Sequence, residues 1–261
     1  MGIETDILAP DHWEAALAAL DWQVELGVAD WVVDDPVDRY GLPERLTPAP
    51  AKAAVEPPVA TAQADPVAEA QAMAAAAPTL EALREAITAF PHCEIKKGAR
   101  NTVFADGNPA ARVLVLGEAP GREEDLEGRP FVGRAGQLLD RMFAAIGLSR
   151  TAPDPEMALY ITNVLPWRPP GNRDPEPEEI AMMRPFLQRH VALVDPDFIV
   201  LVGNTPCKAV LNQTGILRLR GQWAEAWGKP VLPMTHPAYL LRQPAAKREA
   251  WADLLSLKAR L

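Results

Sequence analysis

Three residues able to handle charge stand at the ends of apolar runs in this sequence: Glu118 in RVLVLGEAPG, Asn163 in LYITNVLPWRPPGNRDP and His236 in KPVLPMTHPAYLLR. A carboxylate can steady a cation or orient a water. An imidazole can donate to a developing anion, and preoriented groups of this kind lower a barrier by meeting charge as it forms. The amide of Asn163 offers one acceptor and two donors, the pattern that reads a nucleobase edge. Between the first two sites, GRPFVGRAGQLLD delivers Phe131 among small residues, where an aromatic face suits a flat ring. Phe131 buried in the core, with Glu118 a plain surface charge, is the alternative that spacing alone leaves open. The glycines of GEAPG do not cradle a triphosphate or a dinucleotide, since neither Gly-Lys-Ser/Thr nor G-x-G-x-x-G is present.

The runs that carry these residues read as strands: Arg112–Leu116, Leu159–Val164, Phe198–Val202 and Lys229–Pro233. Helical periodicity separates them at Gly136–Ile146, Glu178–Val194, Thr205–Gln213 and Ala246–Leu261. Nearly continuous apolar strands alternating with helices predict a three-layer α/β/α architecture around a central, mostly parallel four-stranded sheet. In such folds the loops leaving the carboxyl ends of strands build the site. Glu118, Asn163 and His236 all occupy that end. Around them, Arg168 and Arg173 flank a stiff Pro-Pro-Gly turn suited to gripping phosphates. Pro237, Tyr239, Leu240 and Arg242 form a tip that is apolar on one side and cationic on the other, the composition of a wedge for a base stack.

The chain has 261 residues and a net charge of -9, unevenly spread. Residues 1–89 carry 16 acidic against 4 basic side chains, whereas residues 90–261 carry 22 basic against 19 acidic. The arginine-rich remainder is compatible with a phosphate-bearing partner. Residues 1–46 read as an acidic helical segment with Asp11 as its N-cap, and 47–79 as an Ala/Pro-rich flexible linker. Residues 80–261 read as the globular domain, which the resemblance described below makes the catalytic one. Cys93 and Cys207 cannot make a disulfide framework, no run is long enough to span a membrane, and the N-terminus has no signal-peptide pattern. A cytoplasmic, nucleoid-associated monomer is the expectation.

Taken together, GEAPG, GRPFVGRAGQLLD, ITNV…RPPGNRDP and HPAYLLR resemble the motifs of the uracil-DNA glycosylase superfamily, and most closely its family 4, from about Leu80 onward. That resemblance implies a DNA repair glycosylase that flips out uracil and hydrolyses its bond to deoxyribose, leaving an abasic site. Glu118 and His236 would be catalytic. Gly117, Ala119, Phe131 and Asn163 would bind the base, with Arg168, Arg173, Pro237, Tyr239, Leu240 and Arg242 on the DNA. The partner would be uracil-containing DNA, single- or double-stranded. The same core chemistry would serve hypoxanthine or xanthine, and a silent nucleic-acid-binding module of the same fold is a further alternative. The intact Glu118, Phe131, Asn163 and His236 argue against silence.

The chain also departs from the pattern of family 4, whose members typically hold an iron–sulfur cluster on four cysteines. Those positions fall here on Phe90, Cys93, Trp167 and Met183. One thiolate cannot hold a cluster that needs about four ligands, so no cofactor and no metal is expected, with apolar packing in its volume. The loop PWRPPGNRDP has no histidine of the kind through which some relatives become trapped on DNA, so ordinary turnover is expected. Gly121 stands where another branch places a tyrosine against thymine's methyl group, which leaves Gly133 and Phe131 as the candidates for rejecting thymine.

Overall fold

A computed structural model describes residues 65–261. The acidic segment 1–46 and the front of the expected linker lie outside the described residues.

Four strands form a parallel core: β2 (Val113–Gly117), β3 (Leu159–Asn163), β4 (Phe198–Val202) and β6 (Lys229–Met234). Each residue of β2 and β3 is buried, as are the last four of β4 and of β6. That continuous burial explains why these strands have no polar alternation, because both sheet faces are covered. Alternate residues separate cleanly. Leu114, Leu116, Ile199 and Leu201 pack on one side, with Leu83, Phe186 and Leu187. Val113, Val115, Ile161, Val200 and Leu232 pack on the other, with Leu139, Phe143 and Leu254. The three-layer expectation holds.

Among the described residues the sheet has six strands rather than four, in the order β1-β3-β2-β4-β6-β5. The two additions are three-residue antiparallel edges, β1 (Ala105–Gly107) beside β3 and β5 (Ala224–Ala226) beside β6. Neither carries an apolar pattern, and such short edges are a common way to blunt a sheet margin.

Helices cover both faces. On the first lie α1 (Pro66–Ala76), α2 (Leu80–Ala89), α5 (Pro177–Val194) and α6 (Asn204–Leu211). On the second lie α4 (Arg134–Ala144) and α9 (Lys247–Lys258), while α3 (Arg122–Glu127), α7 (Ile216–Leu219) and α8 (Pro237–Arg242) are short rim helices. Helix α1 corrects the domain boundary. The stretch expected to be linker up to Thr79 is helical from Pro66, with Asp65 as an N-cap that accepts from the Val67 amide at 3.0 Å. Its inner face consists of Ala70 and Ala74, followed by Ala77, all buried against the α2–α5 core. Small side chains let helices approach closely and so bury area without bulk, which a search for large apolar residues passes over. The Arg189 side chain on α5 donates to the Ala77 carbonyl at 2.9 Å and closes the contact.

Candidate active site

The carboxyl ends of β2, β3, β4 and β6 open into a cleft of roughly 750 Å³ lined by Glu118, Phe131, Asn163, Thr205 and His236 among others. Four of these five come from the loops singled out in the sequence. Thr205 does not.

Glu118 follows β2 directly. Its backbone is fixed by the Leu165 amide, which donates to the Glu118 carbonyl at 3.0 Å and extends the β2–β3 pairing past the strand ends. Its side chain is fixed by Thr205, at the start of α6, whose hydroxyl donates to Oε2 at 2.7 Å. Burial pushes the Glu118 carboxyl above its ordinary range, the Thr205 hydroxyl works against that rise, and Asp174 adds to it. Among the described residues the other oxygen, Oε1, has no hydrogen-bond partner.

Gly117 and Asn163 are partners in the β2–β3 register. A side chain on Gly117 would sit 2.3 Å from Asn163 Oδ1 and 2.5 Å from the Phe131 ring. The bare Cα is what lets amide and ring meet there. Asn163 Oδ1 is buried with no hydrogen-bond partner among the described residues, an arrangement that costs about 1–3 kcal/mol until a donor arrives.

Phe131 has φ 54°, a left-handed conformation unusual for an aromatic residue. Three groups hold it there. Glu124 accepts from the amides of Val132 and Gly133 at 3.0 and 2.9 Å through Oε1, and from Gly121 at 3.1 Å through Oε2. Arg150 donates to the carbonyls of Pro130 and Phe131 at 2.8 and 3.0 Å, and its charge is balanced by Asp106 and Asp140. Gly136 allows the Phe131 carbonyl to lie where a side chain would otherwise be.

The His236 ring stacks on Phe131, with centroids 5.6 Å apart and planes 28° from parallel. His236 is also the N-cap of α8, and its Nδ1 accepts from the Ala238 amide at 3.1 Å. The proton of the neutral ring therefore sits on Nε2. Burial, then the nearby Arg242 guanidinium, push the imidazole down to about 4, with Glu124 opposing. The result is a neutral imidazole of fixed tautomer.

The residues expected on DNA divide. Tyr239 and Arg242 line the cleft. Leu240 does not project: it is wholly buried against Leu138 and Ala250, and Pro237 is buried as well. Six residues of helix beginning at Pro237 turn Leu240 toward the core, so it cannot serve as the wedge the sequence suggested. Arg173 reaches the cleft but forks onto the buried Glu179 carboxylate at 2.9 and 2.6 Å. Arg168 instead donates to Asn172 at 2.7 Å and is absent from the cleft wall. Ala119 lines the cleft beside Glu118.

Beneath the Asn163 strand, Phe90, Cys93, Trp167 and Met183 are all buried in one apolar cluster. Phe90 packs edge-on to Phe186 at 5.3 Å, and the Trp167 indole N–H donates to Thr102 at 3.1 Å. Burial raises the Cys93 thiol, opposing the thiolate a metal requires. Among the described residues no group of three or more His, Cys, Asp or Glu is placed to hold a metal ion. This donor set does not fit a four-thiolate cluster.

Comparison with known proteins agrees with the geometry. The family model of the Uracil DNA glycosylase superfamily matches residues 104–255. The chain is 41% identical over 170 residues to the type-4 uracil-DNA glycosylase of Archaeoglobus fulgidus, covering 62% of this chain and 82% of that protein. It is 36% identical over 191 residues to that of Sulfurisphaera tokodaii, covering 69% and 84% respectively. Against that of Thermotoga maritima it is 38% identical over 167 residues, covering 62% and 83%. With a matched region that spans the sheet, the Phe131 loop and the Glu118–Asn163–His236 cleft, the chain belongs to the uracil-DNA glycosylase superfamily.

Proposed function

We propose that this protein is a uracil-DNA glycosylase that extrudes uracil from DNA and hydrolyses its N-glycosidic bond, leaving an abasic site. The observation that carries the reading is the unpaired, buried Asn163 Oδ1 beside Phe131, at the floor of a cleft that also holds Glu118 and His236. Uracil lying against Phe131 presents its N3–H to that oxygen and its O4 to the amide's donors. Cytosine has no N3–H, so it leaves the acceptor orphaned, a mismatch that discriminates strongly between bases.

Bond breaking leaves electron density on the base and positive charge on the sugar. His236, neutral and with its proton on Nε2, donates a hydrogen bond to the O2 of the departing base without surrendering the proton. Glu118 faces the sugar as an anion, where it stabilises the cation and orients the incoming water. The Thr205 hydroxyl holds one carboxylate oxygen so that the other keeps its aim. Tyr239 and Arg242 border the entry, and Arg173 presents a charge already tied to Glu179. The enzyme acts as a monomer on chromosomal DNA in the cytoplasm, and no step requires a cluster: apolar packing of Phe90, Trp167 and Met183 around Cys93 stands in its place. Among the described residues no helix is long and apolar enough to cross a membrane.

Incubation with labelled oligonucleotides carrying uracil, hypoxanthine or no lesion is expected to release base from uracil alone. Release from hypoxanthine in preference to uracil, or binding with no release, would sink the reading. In the same assay Glu118→Gln and His236→Ala each lower single-turnover excision by about a hundredfold or more, the loss typical of one preoriented group. Wild-type rates in both variants would remove them from the mechanism.

The pH dependence has a defined sign. Glu118 must be ionised, and its raised pKa places the acid limb of the rate above the ordinary carboxylate value of 4.5. Activity rises with pH through that limb. His236, at about 4, is already neutral there and adds no second limb. Excision rates of wild type and Glu118→Gln measured across pH 4–8 (the range is about that over which such limbs are resolved) check this. An acid limb that persists unchanged in Glu118→Gln contradicts it.

Purified protein is expected to contain no stoichiometric iron and no broad visible absorbance. Iron at cluster stoichiometry by metal analysis would show that ligands other than these four positions assemble a cluster.

A further inference from the structure

A second polar atom of the cleft is orphaned besides Asn163 Oδ1. Thr235 lines the same cleft, is only 2% exposed, and its hydroxyl has no hydrogen-bond partner among the described residues. It occupies the joint between β6, which ends at Met234, and α8, which starts at Pro237. Leaving a buried hydroxyl unpaired is unfavourable, and valine would fill the same shape without that cost. An unsatisfied group of this kind in a binding cleft calls for a partner among the molecules the cleft takes in.

The local backbone indicates which partner. Strands β4 and β6 pair through Val202 and Met234, and the Gly203 amide continues the ladder by donating to the Met234 carbonyl at 3.0 Å. Residues 203–205 and 234–236 therefore run side by side past the strand ends. Side chains alternate along extended chain. Met234 packs on the second face of the sheet, and extended His236 stacks on Phe131 of that same face. Alternation turns Thr235, between them, to the first face, from which α6 brings Thr205 to Glu118. The base occupies the polar groups on the Phe131 side, with Asn163 at N3–H and O4 and His236 at O2. Glu118 Oε1 and Thr235 Oγ1 are left without partners, and the reactant left to bind is water. Two acceptors that take both hydrogens of one water fix the direction of its lone pairs.

We propose that the Thr235 hydroxyl holds the attacking water together with Glu118. The water donates one hydrogen to Glu118 Oε1 and the other to Thr235 Oγ1, which leaves a lone pair directed at C1′. When the C1′–N1 bond breaks, its electron pair stays with the base. The water oxygen then bonds to C1′, and its proton passes to the Glu118 carboxylate. This inference rests on the glycosylase reading above and gives the water a second holder.

The test compares wild type with Thr235→Val and Thr235→Ser in three measurements: single-turnover excision of uracil from DNA, thermal melting, and binding to an oligonucleotide carrying 2′-fluoro-2′-deoxyuridine, whose glycosidic bond resists cleavage. Thr235→Val is expected to excise about tenfold more slowly, the effect of one hydrogen bond to a reacting atom. It melts no lower than wild type, because the hydroxyl it lacks has no partner in the fold. Its affinity for the uncleavable oligonucleotide stays within about twofold, since holding the water acts on the chemical step and not on base binding. Thr235→Ser keeps the hydroxyl and recovers most of the rate. Thr235→Val at the wild-type rate, with wild type releasing uracil, overturns this inference alone. So does a loss of affinity as large as the loss of rate, which would put the hydroxyl on the nucleotide. A Thr235→Val protein that melts well below wild type, or a Thr235→Ser protein as slow as Thr235→Val, overturns it by assigning the effect to the fold or to the methyl group. If wild type releases no uracil, the glycosylase reading fails and this inference falls with it.

Discussion

Where β2 and β3 end side by side, Gly117, Asn163 and Phe131 come so close that one methyl group would have no place to sit. The rest of the site is arranged around that contact. Parallel pairing brings Gly117 opposite Asn163, and the glycine's missing side chain leaves room for both the amide and the ring. The Phe131 backbone is forced into a left-handed turn to reach the spot. Glu124, Arg150 and Gly136 are the means by which the loop is held there, each through the backbone and not through the ring. Strain of this sort, of order 1–3 kcal/mol, persists only where surrounding contacts over-determine it.

Electrostatics divide the remaining work between two groups whose pKa values burial drives in opposite directions. The His236 imidazole is kept neutral and its tautomer set by the Ala238 amide, which leaves Nε2–H as the donor that the proposed mechanism uses beside the base. Glu118 is made more basic by burial while Thr205 favours its anion, the form that the proposed mechanism sets at the sugar. In the proposed mechanism a fixed donor for the leaving base and a fixed anion for the sugar meet both developing charges with little reorganisation, which is where such sites gain most of their rate.

Much of this was legible in the sequence because each principal residue ends an apolar strand, and strand ends in a parallel sheet converge on one rim. Glu118, Asn163 and His236 could be placed on that rule, and the four parallel strands could be read from their unbroken apolar runs. The supporting residues had no such signal. Thr205 sits in GNTPCKAV with nothing to distinguish it from a helix cap. Glu124 and Arg150 act across eight to twenty residues through backbone amides and carbonyls that no spacing reveals. Helix α1 was missed because its packing face is alanine. Leu240 was misread because the tip after His236 is a helical turn, whose period sends that residue inward.

The most direct test of the account is Gly117→Ala. A methyl group there must displace either Asn163 or Phe131. The account predicts that the variant, with circular dichroism and melting close to wild type, excises uracil about a hundredfold more slowly, the scale of loss that an ångström of misplacement brings. A folded Gly117→Ala protein that excises uracil at the wild-type rate would contradict it.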